Sequence, residues 1–103
     1  MNKRLEMLEK LTRSGTADAF AWYALAMEYR KAQQLDLALQ TFETLRDKDA
    51  EYVPRYLMAA QLLLEAGRDA EAVPWLEQGI EKARARGDMK AVGELEQALA
   101  LAQ

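Results

Sequence analysis

Residues suited to chemistry are scarce in this sequence. Its 103 residues include no histidine and no cysteine, and Ser14 is the sole serine. The sequence therefore lacks the commonest general base, a thiol nucleophile and the nitrogen and sulfur ligands of metals. No base lies near Ser14 and no glycine-rich phosphate loop occurs, which excludes a hydrolase triad and a nucleotide loop. We expect no enzymatic activity, no catalytic residue and no bound cofactor.

Two groups of acidic residues are the remaining candidates for chemistry. Asp47, Asp49 and Glu51 alternate along the chain, as the oxygen ligands of a cation often do. The segment lacks the glycine and the spaced acidic residues of a calcium loop, so we interpret Asp49 as a helix cap and Glu51 as a first-turn anion. Glu94 and Glu96 are two residues apart, so on a helix they point in different directions and do not form an acid–base pair. We expect no metal site.

The charge of the chain limits the classes of partner. A formal net charge of −3 argues against nucleic acid, which requires a positive surface. Lys82, Arg84 and Arg86 form the densest basic cluster, which we interpret as cations near a helix C-terminus in preference to a phosphate site.

No apolar run approaches the roughly 18–20 residues of a membrane span, and the basic start is not followed by the apolar stretch of a secretory signal. Without cysteine, the simplest location is the cytoplasm.

The chain repeats itself with a period of 34 residues, since the same shift aligns Trp22 with Tyr56 and Ala38 with Ala72. Further pairs in this register are Ala26 with Ala60, Leu39 with Val73, Phe42 with Leu76 and, one period earlier, Leu5, Leu8 and Leu11 with Leu39, Phe42 and Leu45. Three segments thus share one register, which predicts a repeat architecture.

Within each period the apolar residues follow helical spacing. We expect helices near residues 2–13, 18–31, 36–47, 52–66, 70–85 and 88–102. Asp36 and Asp69 are placed to accept hydrogen bonds from the amides at helix starts. Gly67 is placed to end a helix by adopting the left-handed conformation. Pro74 fits poorly because it lies about five residues into a helix. Either that helix begins after Asp69 or its first turn is distorted.

The segment from Trp22 to Tyr29, followed by Ala38 and Phe42, resembles the tetratricopeptide repeat. That family places a large aromatic residue, a leucine, a small residue and a tyrosine on its first helix, and an alanine and an aromatic residue on its second. The resemblance implies an all-α solenoid of antiparallel helix pairs in a right-handed superhelical stack. It implies a single domain over residues 1–103, comprising an N-terminal half-repeat helix at 2–13, repeats at 19–52 and 53–86, and a capping helix at 88–102.

Some positions depart from the pattern of the family. Gln33 replaces the usual turn glycine and Ala50 the usual closing proline, while Tyr56 stands for the tryptophan in the looser second repeat. The small residues of the pattern have a packing reason, because larger side chains would force crossing helices apart. Gly79 lies in the middle of a helix, where glycine costs roughly 1 kcal/mol against alanine, so we expect a neighbouring helix to approach it closely.

The resemblance also implies a binding surface, because inward residues of the first helix of each repeat meet the ligand in a concave groove. Carried over to this chain, these residues are Phe20, Tyr23, Met27 and Arg30 in the first repeat and Leu57, Met58, Gln61 and Leu64 in the second. Some family members hold a peptide carboxylate with asparagines and lysines. Asn2 is the only asparagine here, so we do not expect that clamp.

Leu57 and Leu64 are apolar residues that repeat packing does not explain. They lie seven residues apart, hence on one helix face, with Gln61 between them. One interpretation is that the last helix fills the groove. Another is that a peptide or helix of a partner protein docks there. Methionines such as Met27 would suit such docking because their side chains adapt to irregular partners. We expect a protein–protein interaction module, with homo-oligomerisation through the same apolar face as the alternative.

Overall fold

The computed structural model describes residues 2–15 and 17–103, and among these it contains six α-helices and no strand. The helices are α1 Lys3–Arg13, α2 Ala19–Lys31, α3 Leu35–Lys48, α4 Pro54–Glu65, α5 Asp69–Ala85 and α6 Met89–Ala102. Each predicted helix is present, with boundaries that differ by one or two residues at most. The expected all-α helical repeat fold is confirmed.

The helices form two compact units. Unit 1 ends at Ala50 and contains α1, α2 and α3, whereas unit 2 begins at Glu51 and contains α4, α5 and α6. In unit 1, α2 packs against both α1 and α3. In unit 2, α5 packs against both α4 and α6, and α6 also makes a smaller contact with α4. Each unit therefore contains the helix pair of one repeat and one flanking helix, while the assignment of residues 1–103 to a single domain stays a prediction.

The core of each unit is built from the small and large residues of the 34-residue register. Ala26 and Ala38 in unit 1, and Ala60 and Ala72 in unit 2, are completely buried. The large residues that are also completely buried are Phe42, Leu45 and Leu76. Alanine lets the helix axes approach, and the larger side chains then fill the space beside each crossing. The complete burial of the four alanines agrees with the packing reason expected for them.

Gly79 lies where α5 meets both of its neighbours. A Cβ atom at this position would stand 2.7 Å from Cβ of Tyr56 on α4 and 3.1 Å from Cδ2 of Leu95 on α6. Such distances leave no room for a methyl group. The expectation that a neighbouring helix approaches Gly79 closely is confirmed.

Left-handed residues follow four of the helices, namely Gly15 after α1, Gln33 after α2, Gly67 after α4 and Gly87 after α5. After α4, Gly67 adopts φ of 74°, and the amides of Gly67 and Arg68 donate to the carbonyls of Leu64 and Leu63. After α2, Gln33 adopts φ of 61° and makes the equivalent bond to Arg30. Both ends are Schellman motifs, for which glycine is the usual residue. Gln33 thus holds the backbone conformation of the turn glycine that it replaces.

The N-caps differ from those predicted. Asp36 and Asp69 are not caps, because α3 begins at Leu35 and α5 at Asp69 itself, and both aspartates lie in the first turn. The Schellman turns lead directly into these helices, so the residues before them, Gln34 and Arg68, take the N-cap position without a side-chain bond. The carboxylates of Asp36 and Asp69 still stabilise their helices, because negative charge in the first turn interacts favourably with the helix dipole. Side-chain caps are instead provided by Asn2, Asp18 and Asp88.

The interpretation of Asp49 and Glu51 as the start of α4 is wrong. That helix begins at Pro54, a residue whose missing amide suits the first helical position. Asp49 lies at the C-terminal end of α3, where its amide donates to the carbonyl of Leu45. Glu51 lies in the loop before α4.

Pro74 lies within α5, and a later helix start is excluded because the helix begins at Asp69. The carbonyl of Arg68 accepts from the amides of both Glu71 and Ala72, so the first turn includes a bond of the tighter 3₁₀ type. Proline has no amide to donate to the carbonyl of Ala70, so this hydrogen bond is missing from the helix.

Candidate functional site

The exposed face of α2 carries the site residues predicted in unit 1. Phe20 is 66% exposed, and Tyr23, Met27 and Arg30 are each half-buried. At about 100° per residue these four positions fall on one side of the helix, opposite the buried Leu25. We call this surface the α2 face. It presents an aromatic and apolar surface with one cation at its C-terminal end.

Tyr23 links the α2 face to the core of unit 1. Its ring packs edge-on against the completely buried Phe42, with 6.3 Å between ring centroids and 62° between the planes. An edge-to-face pair of this kind fixes the position of a ring. Tyr23 is therefore a rigid part of the surface, whereas Phe20 projects into solvent.

The predicted site residues of unit 2 lie on α4. Leu57, Met58, Gln61 and Leu64 are each half-buried and share one side of this helix, which we call the α4 face. The last helix, α6, packs mainly on α5 and turns the buried residues Val92 and Leu95 toward the unit. It leaves each of the four α4 residues partly exposed.

Arg55 was missed by the sequence analysis. It precedes the α4 face, and its side chain is completely buried, with the guanidinium carbon 3.8 Å from the ring centroid of Tyr56. A contact of a guanidinium with an aromatic ring at this distance is favourable, more so away from water. The neighbouring apolar residues gave no signal that a cation would be enclosed there.

The basic cluster lies at the C-terminal end of α5, as predicted, and its members interact with nearby oxygens. Lys82 Nζ lies 3.0 Å from the Glu51 carboxylate, and this hydrogen bond raises the pKa of Lys82. Arg86 donates to the carbonyl of Glu51 at 3.0 Å, and Arg84 lies 2.7 Å from Glu96. The cluster thus lies at the helix C-terminus, and its members link α5 to the loop before α4 and to α6.

Unit 1 also contains an open cleft of about 330 Å³ between α1 and α3, with α2 as its floor. The floor is formed by Trp22, Leu25 and Tyr29, on the side of α2 opposite the α2 face. The side walls are Glu9, Thr12 and Arg13 from α1 and Leu37, Gln40, Thr41 and Thr44 from α3. The sequence analysis missed this cleft. Its one signal was Leu37, an apolar residue outside the buried stripe of α3, and this side chain is 40% exposed.

Tyr29 and Glu9 join α1 to α2 at the cleft. The Tyr29 hydroxyl donates to Oε2 of Glu9 at 2.6 Å. Burial, and then the hydrogen bond and the negative charge of Glu9, raise the pKa of Tyr29 to about 12, with nearby Arg13 opposing the shift. The phenol therefore remains protonated and bound to Glu9 at neutral pH.

The described residues contain no group of metal-ligating side chains and no membrane-spanning helix. Across 2–15 and 17–103, no three residues of the histidine, cysteine, aspartate and glutamate types form a cluster that could hold a metal ion. Over the same ranges, every helix is too short or too polar to cross a bilayer.

Comparisons with known proteins agree with this architecture. A sequence profile of the tetratricopeptide repeat matches residues 29–93. The solution structure of a tetratricopeptide repeat domain protein from Salinibacter ruber is 38% identical, with a TM-score of 0.77 over 82% of this chain and 86% of that one. A crystal structure of a tetratricopeptide repeat domain protein from the same organism is 38% identical, with a TM-score of 0.76 over 82% and 96% of the two chains.

A second similar fold comes from Bordetella parapertussis. The solution structure of that protein is 28% identical to this chain, covers 99% of it and 89% of its own length, and has a TM-score of 0.82. No curated protein matches this chain.

Proposed function

The chain belongs to the tetratricopeptide repeat family, and we propose that it binds a partner protein through the α2 face of unit 1 and the α4 face of unit 2. Domains of this family are in general protein–protein interaction modules built on a non-enzymatic helical repeat scaffold. The observation that carries the proposal is Phe20, a large aromatic residue that is 66% exposed beside the half-buried Tyr23 and Met27.

The composition of the two faces suits an apolar or amphipathic segment. The α2 face offers aromatic rings and a methionine, and the α4 face offers two leucines and a methionine around Gln61. Methionine adapts to irregular partners, and aromatic residues dominate the energetic centres of interfaces. An extended peptide or the apolar side of a helix would cover such surfaces, as in helix-in-groove recognition.

The magnitudes support reversible binding. Burial of a leucine, methionine or aromatic side chain contributes about 1.5–3 kcal/mol. Five or six such side chains would offset an association cost of about 4–15 kcal/mol and leave an affinity near the micromolar range. We therefore expect a partner that exchanges readily.

Site-specific photo-crosslinking in the native host tests this assignment. A photoreactive phenylalanine analogue would replace Phe20 in one variant and Gln61 in another, with Glu77 as the matched exposed position on α5. We expect one and the same protein to be crosslinked from positions 20 and 61 and not from position 77. The circular dichroism of each variant should remain that of the wild type.

Two outcomes would contradict the proposal. Crosslinking from position 77 alone would place the partner elsewhere on the chain. A product of twice the mass of the chain, formed from positions 20 and 61 with no other protein, would instead support homo-oligomerisation through these faces.

A further inference from the structure

The cleft of unit 1 lies outside both proposed faces. We propose that it binds a basic, partly apolar segment of a partner protein, with the aliphatic stem of an arginine or lysine on Trp22 and Leu25 and its cation near Glu9. This inference goes beyond the proposed function, because it concerns the opposite side of α2 and holds whether or not the α2 face binds a partner.

The size and floor of the cleft fit a long side chain. Its volume of about 330 Å³ lies at the small end of ligand pockets, which span roughly 300–1,000 Å³. Leu25 is buried and Trp22 half-buried, so the floor is apolar but reachable from solvent. Arginine and lysine side chains cover apolar surface with their methylene groups while the cation stays near water and aromatic rings.

The hydrogen-bonding groups of the cleft favour a ligand that donates. The hydroxyls of Thr12, Thr41 and Thr44 already donate to the carbonyls of Leu8, Leu37 and Gln40. The Tyr29 hydroxyl donates to Glu9, as described above. These oxygens can still accept hydrogen bonds, and the Glu9 carboxylate accepts through more than one lone pair. A guanidinium or ammonium group brings only donors and therefore complements this lining.

The edge of α3 beside the cleft is negatively charged. Asp36, Glu43 and Asp47 are exposed and lie three to four residues from the lining residues Gln40 and Thr44, on an adjacent strip of the helix. We call these three residues the acidic edge. Within the described part of the chain, none of them forms an ion pair or hydrogen bond. A segment with several basic residues would therefore meet the carboxylate of Glu9 in the cleft and the three carboxylates of the acidic edge beside it.

Two cations of the chain itself compete with such a ligand. Arg13 lines the cleft, and Nζ of Lys48 lies 5.3 Å from the ring centroid of Trp22. Both are exposed side chains, so they can move aside at small cost. Removal of either charge should therefore strengthen binding of a basic segment and weaken binding of an acidic one. The direction of this change in affinity can be tested by experiment.

Two-dimensional NMR of the full chain gives a direct readout. The probes are a blocked hexapeptide of alternating leucine and arginine and a matched peptide with glutamate in place of each arginine. We expect the arginine peptide to shift the indole N–H signal of Trp22 saturably, while the signal of the buried Trp75 in unit 2 stays in place as an internal reference. The glutamate peptide should leave both signals unchanged.

Charge variants complete the test. Glu9→Gln keeps an acceptor for Tyr29 but loses the charge, and it should weaken binding of the arginine peptide about three- to fivefold, while Lys48→Met should strengthen it by a similar factor. Glu94→Gln, at an exposed position on α6, should leave the affinity unchanged. Equal or tighter binding of the glutamate peptide, weaker binding after Lys48→Met, or no saturable shift of Trp22 would each overturn the proposal.

Discussion

Gly79 and Tyr56 lie so close that a methyl group on the glycine would stand 2.7 Å from Cβ of the tyrosine. The contact joins the backbone of α5 at Gly79 to the Cβ atom of Tyr56 on α4. Because a change of rotamer does not move Cβ, it cannot relieve a clash there. A second glycine in unit 2, Gly93 on α6, has the opposite environment. A Cβ there would have no described atom within 4 Å beyond its own helix and its chain neighbours.

The two glycines should respond in opposite directions to the same substitution. Gly79→Ala gains about 1 kcal/mol of helix propensity but incurs a clash that typically costs about 1–3 kcal/mol, so we expect net destabilisation. Gly93→Ala gains propensity without a clash and should stabilise the chain by about 1 kcal/mol. Thermal unfolding followed by circular dichroism measures both. A stabilised Gly79→Ala variant would show that the approach to Tyr56 is looser than the structure has it.

The left-handed Gln33 offers a second matched pair of substitutions. A residue other than glycine in this conformation costs about 1–2 kcal/mol, so Gln33→Gly should raise the free energy of unfolding by about 1 kcal/mol. Gln34 has φ of −95°, which glutamine adopts without strain. Glycine at this position would only add conformational freedom to the unfolded chain, so Gln34→Gly should lower the free energy of unfolding. Denaturation by urea would measure both variants, and stabilisation by Gln34→Gly alone would contradict the assigned turn.

Stability at alkaline pH should depend on Tyr29. Its pKa is about 12 in the folded chain, against an ordinary value of 10.0, so the folded state holds the phenolic proton more tightly than the unfolded state does. The resulting stabilisation is fully present below about pH 10 and is lost as the pH rises toward 12. We expect the wild type to lose about 1–2 kcal/mol more than Tyr29→Phe over this interval.

Urea denaturation at several pH values measures that difference, and ultraviolet titration of the phenols gives an independent check. The titration of the wild type should include an ionisation near pH 12, and this step should be missing in Tyr29→Phe. Identical loss of stability in both proteins across this pH interval would show that neither burial nor the bond to Glu9 holds the proton.

The helical core was largely predictable from the sequence because its signals are periodic. Ala26, Ala38 and Phe42 recur in the 34-residue register, and all three are completely buried. Gly79 was predictable for a different reason. A glycine within a helix is unfavourable without close packing, so its presence indicated a neighbour before that neighbour was known.

Details that depend on non-periodic contacts were not predictable. Asp36 has the residue type of an N-cap, but the preceding Schellman turn starts α3 one residue earlier. The burial of Arg55 depends on how its side chain meets the ring of Tyr56, and the residues on either side do not encode that geometry. The cleft depends on the gap between α1 and α3, which is a property of packing and not of either helix. The roles of the α2 face and the α4 face in binding stay a prediction.

Calorimetric titration with the partner segment identified by crosslinking tests the central claim most directly. Met27→Glu on the α2 face and Leu57→Glu on the α4 face each place a charge on a surface that the partner would bury, so we predict at least about a tenfold rise in Kd for each. Glu77→Gln, on the exposed side of α5, should bind as the wild type does. If both glutamate variants keep the helical circular dichroism and bind the segment with unchanged Kd, neither face is the binding surface.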